Sequence, residues 1–143
     1  MDNTPSGKSN ANLAAKFTLT HSFSVALEAN GPFCRESLPY PWDALYAANV
    51  GVVINGHDHD YERFAPQDPS GKLDSRRGIR EFVVGTGGKS SHRTFASTQP
   101  NSEVRQADTF GVLKLTLRAT SYDWKFVSEA GRTFTDSGGR TCH

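Results

Sequence analysis

The hydrophobic positions of the chain fall into short β-type runs, with one short helical pattern before the most continuous of them. Residues 50–54 are continuous and β-branched, which is typical of a strand buried on both faces. Residues 42–49 follow prolines, carry Asp43 in the first turn and show i, i+3, i+4, i+7 spacing, which predicts a short helix. Residues 17–20 and 79–84 have the composition of further strands. Helix, buried strand and polar turn together resemble one unit of an α/β sheet.

The second half of the chain has the pattern of a β-meander. Residues 110–117 and 122–127 alternate between apolar and polar positions with a short connection, which predicts a β-hairpin. Phe134 starts a further short strand before a Ser-Gly-Gly tail, whereas residues 89–109 form a long polar stretch with little regular pattern. We therefore expect an α/β (α+β) fold that is rich in strands and has one or two short helices. Residues 1–15 are predicted to be a flexible leader, and residues 16–143 a single domain.

Composition and charge exclude several classes of function. The chain has 143 residues, 16 basic and 15 acidic, with a formal net charge of +1. This balance argues against nucleic-acid binding driven by bulk charge and gives no polybasic membrane anchor. No apolar run approaches the roughly 20 residues of a membrane span, and the leader lacks the layout of a signal peptide. Cys34 and Cys142 leave open either one disulfide or two free thiols.

Two histidines and two aspartates directly follow the buried strand, in the segment Asn55-Gly56-His57-Asp58-His59-Asp60-Tyr61. Ligand sites of α/β sheets lie just past the carboxyl ends of strands. Neutral imidazole is a good ligand for zinc and iron, and Gly56 allows the chain to turn because it has no Cβ. Asp58 and Asp60 are candidates for further ligands or for groups that orient the imidazole N–H. The alternative is a solvated polar turn.

The block Gly-His-x-His-x-Tyr-Glu-Arg at residues 56–63 resembles the last metal-binding block of calcineurin-like metallophosphoesterases. The closest branch is the bacterial one that is similar to purple acid phosphatases. The resemblance extends from about residue 42 to residue 143 and includes residues 42–46, 78–88 and 133–138. It implies a partial metallophosphoesterase sandwich, and it also implies a secreted or periplasmic location.

The resemblance also implies a site. His57 and His59 would each ligate one metal ion of a pair, and His21, at the end of the strand at 17–20, is the candidate for an earlier ligand. Zinc, iron or manganese would be the cofactor and a phosphoester small molecule the substrate. The remaining assignments are Asp58 as a catalytic residue beside the two histidines, Arg63 as a phosphate-binding residue, and Asp60, Tyr61 and Asn55 as supporting groups around the ligands. The alternative for residues 61–63 is an internal ion-pair element that holds the histidine block.

Other parts of the family pattern are absent from the sequence. The Asp-x-His, Gly-Asp and Gly-Asn-His blocks of the first half of the fold do not occur. Three hypotheses follow: a truncated phosphoester hydrolase, a non-catalytic metal-binding fragment, and an accessory module that needs a partner chain for the missing ligands. Because half of a sandwich exposes a sheet edge and an apolar face, we expect the fold to be completed by oligomerisation, with a second copy of this chain.

The glycine-rich turn at residues 85–88 lacks the spacing of a P-loop. We therefore interpret it as a tight structural turn near the rim of the site. His92 and His143 are expected to face solvent in a polar loop and in the tail.

Overall fold

The computed structural model describes residues 17–19, 41–89 and 97–143, which form one helix and eight strands in two sheets. The first sheet contains β1 to β5, and helix α1 precedes β2; the second sheet contains β6 to β8. The elements are β1 (Phe17–Leu19), α1 (Pro41–Ala47), β2 (Val52–Asn55), β3 (Tyr61–Phe64), β4 (Arg80–Val84), β5 (Ser102–Gln106), β6 (Gly111–Leu117), β7 (Ser121–Ser128) and β8 (Ser137–Thr141). The β-rich fold with one short helix confirms the expected fold class.

The first sheet mixes parallel and antiparallel pairing. Its strand order is β1-β2-β4-β3-β5, in which β1, β2 and β4 are parallel and β3 runs antiparallel to both β4 and β5. The second sheet is an antiparallel meander in the order β6-β7-β8. The parallel strands place the carboxyl ends of β1, β2 and β4 at one edge of the molecule. The turn that carries the histidine block leaves from this edge.

The main core lies between the two sheets. Val52, Tyr61 and Phe82 of the first sheet pack in one buried cluster with three aromatic side chains of β7, namely Tyr122, Trp124 and Phe126. A second, smaller cluster lies on the other face of the first sheet, where helix α1 covers it; its members are Trp42, Val50, Val53 and Ile79. Strand β2 therefore has apolar contacts on both faces, as its continuous β-branched sequence predicts.

Several predicted elements are confirmed within a residue or two: β1, α1, β2, β4 and the β6–β7 hairpin. Two strands were not predicted: the polar stretch at 89–109 contains β5, and the histidine block leads directly into β3. The last strand was predicted to start at Phe134, which was wrong, because β8 begins at Ser137, in the Ser-Gly-Gly segment that was expected to be a tail.

The small residues at the start of β8 explain why this segment was predicted to be a tail. An ideal Cβ on Gly138 would lie 2.4 Å from Cζ2 of Trp124. A glycine is needed there because the strand lies directly against the indole ring, so the small residues reflect close packing rather than a free tail.

The predictions for the leader, for three further residues, for the second cysteine and for a membrane span remain to be compared with the structure. The leader at 1–15, His21, Cys34 and His92 lie outside the described residues. Cys142 is a free thiol. Within the described ranges, no helix is long and apolar enough to cross a membrane.

Candidate functional site

The histidine block forms the bend between β2 and β3. His57 is exposed, Asp58 and His59 are half-buried, and Asp60 is buried. The bend lies past the carboxyl end of β2, beside the carboxyl end of β4, with which β2 is paired in parallel. This is the position at which α/β sheets bind ligands. The structure thus presents one imidazole to solvent and a second one at the protein surface beside it.

Gly85, at the end of β4, holds the bend against the sheet. Its backbone N–H donates to the carbonyl oxygen of Asp60 at 2.9 Å. A Cβ at residue 85 would lie 1.8 Å from the carbonyl oxygen of Asp58 and 2.8 Å from Cα of His59. The backbone of the block and the backbone of the glycine turn therefore touch, which only a residue without a side chain permits. The structural interpretation of residues 85–88 agrees with this contact.

Tyr61 and Arg63 point into the interface between the two sheets, where they share the carboxylate of Asp136. The hydroxyl of Tyr61 donates to Oδ2 of Asp136 at 2.7 Å, and Nε of Arg63 donates to the same oxygen at 2.6 Å. Nη2 of Arg63 donates to Oδ1 at 3.2 Å. All three residues are buried. The network fastens β3, immediately after the histidine block, to the segment that precedes β8.

The protonation behaviour of this network follows from its contacts. Burial opposes the charge on Asp136, but the hydrogen bonds from Arg63 and Tyr61 outweigh it and lower the pKa of the Asp136 carboxyl. Burial and the hydrogen bond to Asp136 raise the pKa of the Tyr61 hydroxyl. At neutral pH, Asp136 is a carboxylate between a neutral phenol and a guanidinium.

A second carboxylate, Glu103 on β5, joins two arginines. Nη1 of Arg80 donates to Oε2 of Glu103 at 2.7 Å, and Nη1 of Arg63 pairs with the same oxygen. Both guanidinium carbons lie over the ring of Trp124, Arg63 at 5.1 Å and Arg80 at 4.9 Å from its centroid. Such cation–π contacts are strongest where water is excluded, as it is here.

Asn55 and Glu81 form a separate polar contact on the opposite face of the first sheet. Nδ2 of Asn55 donates to Oε1 of Glu81 at 2.6 Å, and both side chains are buried. Glu62 is buried nearby, and its negative charge acts on Glu81. Burial is the main cause that raises the pKa of the Glu81 carboxyl to about 7; the hydrogen bond from Asn55 lowers it and the charge of Glu62 raises it.

The predicted site residues are therefore divided between three environments. His57, Asp58, His59 and Asp60 lie in the bend. Asn55 is bonded to Glu81 on the helix-covered face, while Tyr61 and Arg63 lie in the core. The ion pairs expected as the alternative for residues 61–63 are present. The phosphate-binding role of Arg63 stays a prediction. In this structure its guanidinium is bonded to the carboxylates of Asp136 and Glu103.

A complete metal site is not formed by the described side chains. Among residues 42–89 and 97–143, no three His, Cys, Asp or Glu side chains converge as a group that could hold a metal ion. The two imidazoles of the bend have the donor chemistry for zinc, iron or manganese, but two ligands fall short of the three or four protein ligands usual for zinc. His21, the third predicted ligand, lies outside the described residues.

The comparisons with known proteins bear on the fold. No family model matches the chain, and no curated protein sequence does. The structure is similar to that of a purple acid phosphatase from the seeds of yellow lupin (Lupinus luteus), with a TM-score of 0.66 and 22% sequence identity. The chain has a partial metallophosphoesterase-like fold. The similarity covers 86% of this chain and 24% of the phosphatase chain, so the chain spans about a quarter of that protein's length.

Sequence reasoning missed the partners that fix the block. Asp136 lies 73 residues from Arg63, and Glu81 lies 26 residues from Asn55. The only sequence signal for Asp136 was that it lies in the segment 133–138, which resembles the family. That resemblance assigned no role to Asp136. A charged residue inside a predicted strand, such as Glu81 in the strand at 79–84, is the signal that could have indicated a buried polar pair, because isolated charges are rarely buried.

Proposed function

We propose that this chain is the part of a metal-dependent phosphoester hydrolase that carries its last metal-ligand block, with His57 and His59 as ligands. The observation that carries the proposal is the position of the Gly-His-x-His-x-Tyr-Glu-Arg block. It lies past the carboxyl end of β2 in a fold similar to that of a purple acid phosphatase. A loop with two imidazoles at a strand end is a suitable place for a metal ion that would polarise a phosphoester.

The donor set implies that further ligands come from outside the described residues. His21 is the candidate that the sequence analysis predicts, and it follows β1, which pairs in parallel with β2. Other donors would come from a second copy of this chain or from a partner chain, and we propose a homo-oligomer as the simplest form. Zinc, iron or manganese would suit the imidazoles.

The chain's own contribution is to present the imidazoles rigidly. The contact between Gly85 and the block fixes the backbone on one side, and the bonds from Tyr61 and Arg63 to Asp136 fix the start of β3 on the other. Asp58 is placed beside both histidines in the sequence, as a candidate for orienting an imidazole or accepting a proton. A metal site gains affinity from ligands that are held in place before the metal binds.

The test combines metal content with hydrolysis. The purified chain is loaded with zinc, iron or manganese, metal is measured by elemental analysis, and turnover of a chromogenic phosphomonoester and phosphodiester is followed with and without chelator. We expect His57→Ala together with His59→Ala to remove both bound metal and chelator-sensitive turnover. His143→Ala is the matched control, since it removes an imidazole at the other end of β2.

The outcomes separate the hypotheses. Unchanged metal content in the double variant would overturn the ligand assignment. Metal binding by the unaltered chain without turnover would instead support a non-catalytic metal-binding fragment. Turnover that appears only after addition of a second protein would support an accessory module that needs a partner chain.

A further inference from the structure

A basic pocket lies at the edge of the fold opposite the histidine block. It has a volume of about 410 Å³ and is lined by the turn at 75–77 and by residues 140–143. The ring of His143 lies beside Gly51, where an added Cβ would be 3.8 Å from Cε1. Gly51 precedes β2 and His57 follows it, and a strand rises about 3.3 Å per residue, so the two places are roughly 15 Å apart. The pocket is therefore separate from the candidate metal ligands.

Three of the residues that line this pocket are arginines, namely Arg76, Arg77 and Arg140. Arg140 is held by the turn itself: Nη1 donates to the carbonyl oxygen of Gly78 at 2.9 Å, and Nη2 donates to that of Ser75 at 3.0 Å. A guanidinium has five N–H donors, so these two bonds orient the group and leave other donors for a ligand.

The turn that carries the other two arginines is also fixed. The backbone N–H groups of Arg76 and Arg77 both donate to Oδ1 of Asp74 at 3.0 Å. The guanidinium carbon of Arg77 lies 4.8 Å from the ring centroid of Tyr46, and its Nη2 donates to Oδ1 of Asn49 at 3.3 Å. The arginines are thus presented by an ordered turn rather than by a free loop.

Positive charge is in excess around the pocket. Three guanidinium charges stand against two carboxylates, that of Asp74 and the α-carboxylate of the last residue, His143. The Asp74 carboxylate already accepts hydrogen bonds from the hydroxyl of Tyr46 at 2.7 Å and from the two turn N–H groups. The side chain of Arg76 is exposed and forms no ion pair with any described residue. Nη donors are therefore available on at least two arginines.

His143, which the sequence predicted to face solvent, is a half-buried residue that lines the same pocket. Its Nε2 is buried and has no hydrogen-bond partner among the described residues. Burial lowers the pKa of the His143 imidazole, and the charges of Arg140 and Arg77 lower it further. A lowered pKa favours the neutral imidazole, so the positive charge of the pocket comes from the arginines.

We propose that this pocket binds a small phosphorylated molecule through its phosphate group, with Arg76, Arg77 and Arg140 as the anion-binding residues. Planar guanidinium forks match the oxygens of a phosphate, which makes arginine the usual residue for this recognition. The cavity volume exceeds the volume of a phosphate ion, which leaves space for the group that carries the phosphate. The proposal does not depend on hydrolytic activity at the histidine block.

The test is calorimetric titration of the full chain, freed of metal by chelator, at constant ionic strength. Inorganic phosphate and a phosphomonoester such as glycerol phosphate are the ligands, and chloride is the reference anion. We expect saturable binding of one equivalent in the micromolar to millimolar range typical of small ligands, tighter for the phosphomonoester. Equal affinity for both ligands would overturn the claim that the pocket receives the attached group.

The variants separate the pocket from the rest of the surface. Arg76→Gln changes an exposed side chain, so the fold should persist while affinity falls several-fold. Arg140→Lys keeps the charge but removes the fork, and we expect at least a tenfold loss. Arg132→Gln, which alters an exposed arginine paired with Glu129, is the matched control and should bind as the unaltered chain does.

Two results would overturn the proposal. One is the absence of saturable binding up to about 20 mM ligand. The other is unchanged affinity in both Arg76→Gln and Arg140→Lys. Loss of binding in the His57→Ala and His59→Ala variant, with no loss in the arginine variants, would place the phosphate at the histidine block instead.

Discussion

Arg63 and Asp136, 73 residues apart, form a buried ion pair that joins the strand after the histidine block to the segment that precedes β8. Nε of Arg63 donates to Oδ2 of Asp136 at 2.6 Å, and Nη2 donates to Oδ1 at 3.2 Å. Two bonds from one guanidinium to one carboxylate restrict both distance and orientation. The pair therefore acts as a fixed connection between the two sheets at the base of the candidate site.

Asp136→Asn should destabilise the fold strongly. The substitution leaves Glu103 as the remaining carboxylate partner of Arg63 and removes the buried one, and breaking a buried ion pair on one side costs about 3 kcal/mol. Urea unfolding at pH 7 measures the change. Asp123→Asn is the control, because it breaks the exposed pair with Arg118, which should cost less than about 1 kcal/mol. Equal losses in the two variants would show that the buried pair has no special role.

Tyr61→Phe should cost about 1–2 kcal/mol, since it removes one donor from the buried Asp136 carboxylate. Because Tyr61 and Arg63 donate to the same oxygen, the effects of Tyr61→Phe and Asp136→Asn should not add. A double-mutant cycle should give a coupling of about 1 kcal/mol or more. Additive losses would mean that the phenol and the carboxylate act independently.

Gly85→Ala should displace the histidine block. The new Cβ would lie 1.8 Å from the carbonyl oxygen of Asp58, so the bend at 57–60 must move away from the sheet. We expect a loss of about 2–3 kcal/mol and altered amide resonances across the block in NMR spectra. Gly87→Ala is a matched control in the same turn, because a Cβ there meets nothing within 4 Å. An unperturbed block in Gly85→Ala would contradict the contact.

Glu81→Gln should remove a pH dependence of stability. Burial raises the pKa of Glu81 from 4.5 to about 7. Between these two pH values, the Glu81 carboxyl is protonated in the folded state and ionised in the unfolded state. The contribution of Glu81 to the free energy of unfolding should therefore be fully present below about pH 4.5 and should be lost as the pH rises through about 7. At pH 8 the cost of the charge is about 3 kcal/mol, from 1.36 kcal/mol per pKa unit.

The measurement is thermal or urea unfolding between pH 5 and pH 8. Glutamine keeps a carbonyl acceptor for the Asn55 amide and carries no charge, so the variant should be the more stable protein at pH 8 and should lose this part of the pH profile. Glu129→Gln, at an exposed ion pair, should leave the profile unchanged. A Glu81→Gln profile that matches the unaltered protein would show that Glu81 does not titrate in this range.

Local sequence patterns determined much of the fold. The spacing of residues 42–49, the β-branched run at 50–54 and the alternation at 110–127 are signals that act over a few residues, and each produced the expected element. The histidine block was recognisable for the same reason, because all its members lie within eight consecutive positions. Strand β5 escaped prediction, since its residues are polar and only its pairing with β3 makes it a strand.

Only the tertiary structure decided what surrounds those elements. The partners Asp136, Glu81 and Gly85 meet the block through strand pairing and sheet packing, and their distance along the chain leaves no periodic signal. The same is true of the basic pocket, where the turn at 75–77 meets the last four residues. The sequence by itself determined which groups are available for chemistry near β2. Register and packing determined that Tyr61 and Arg63 point into the core, because successive side chains of a strand point to opposite faces. His57 faces solvent because it lies in the bend, where the alternation of a strand does not apply.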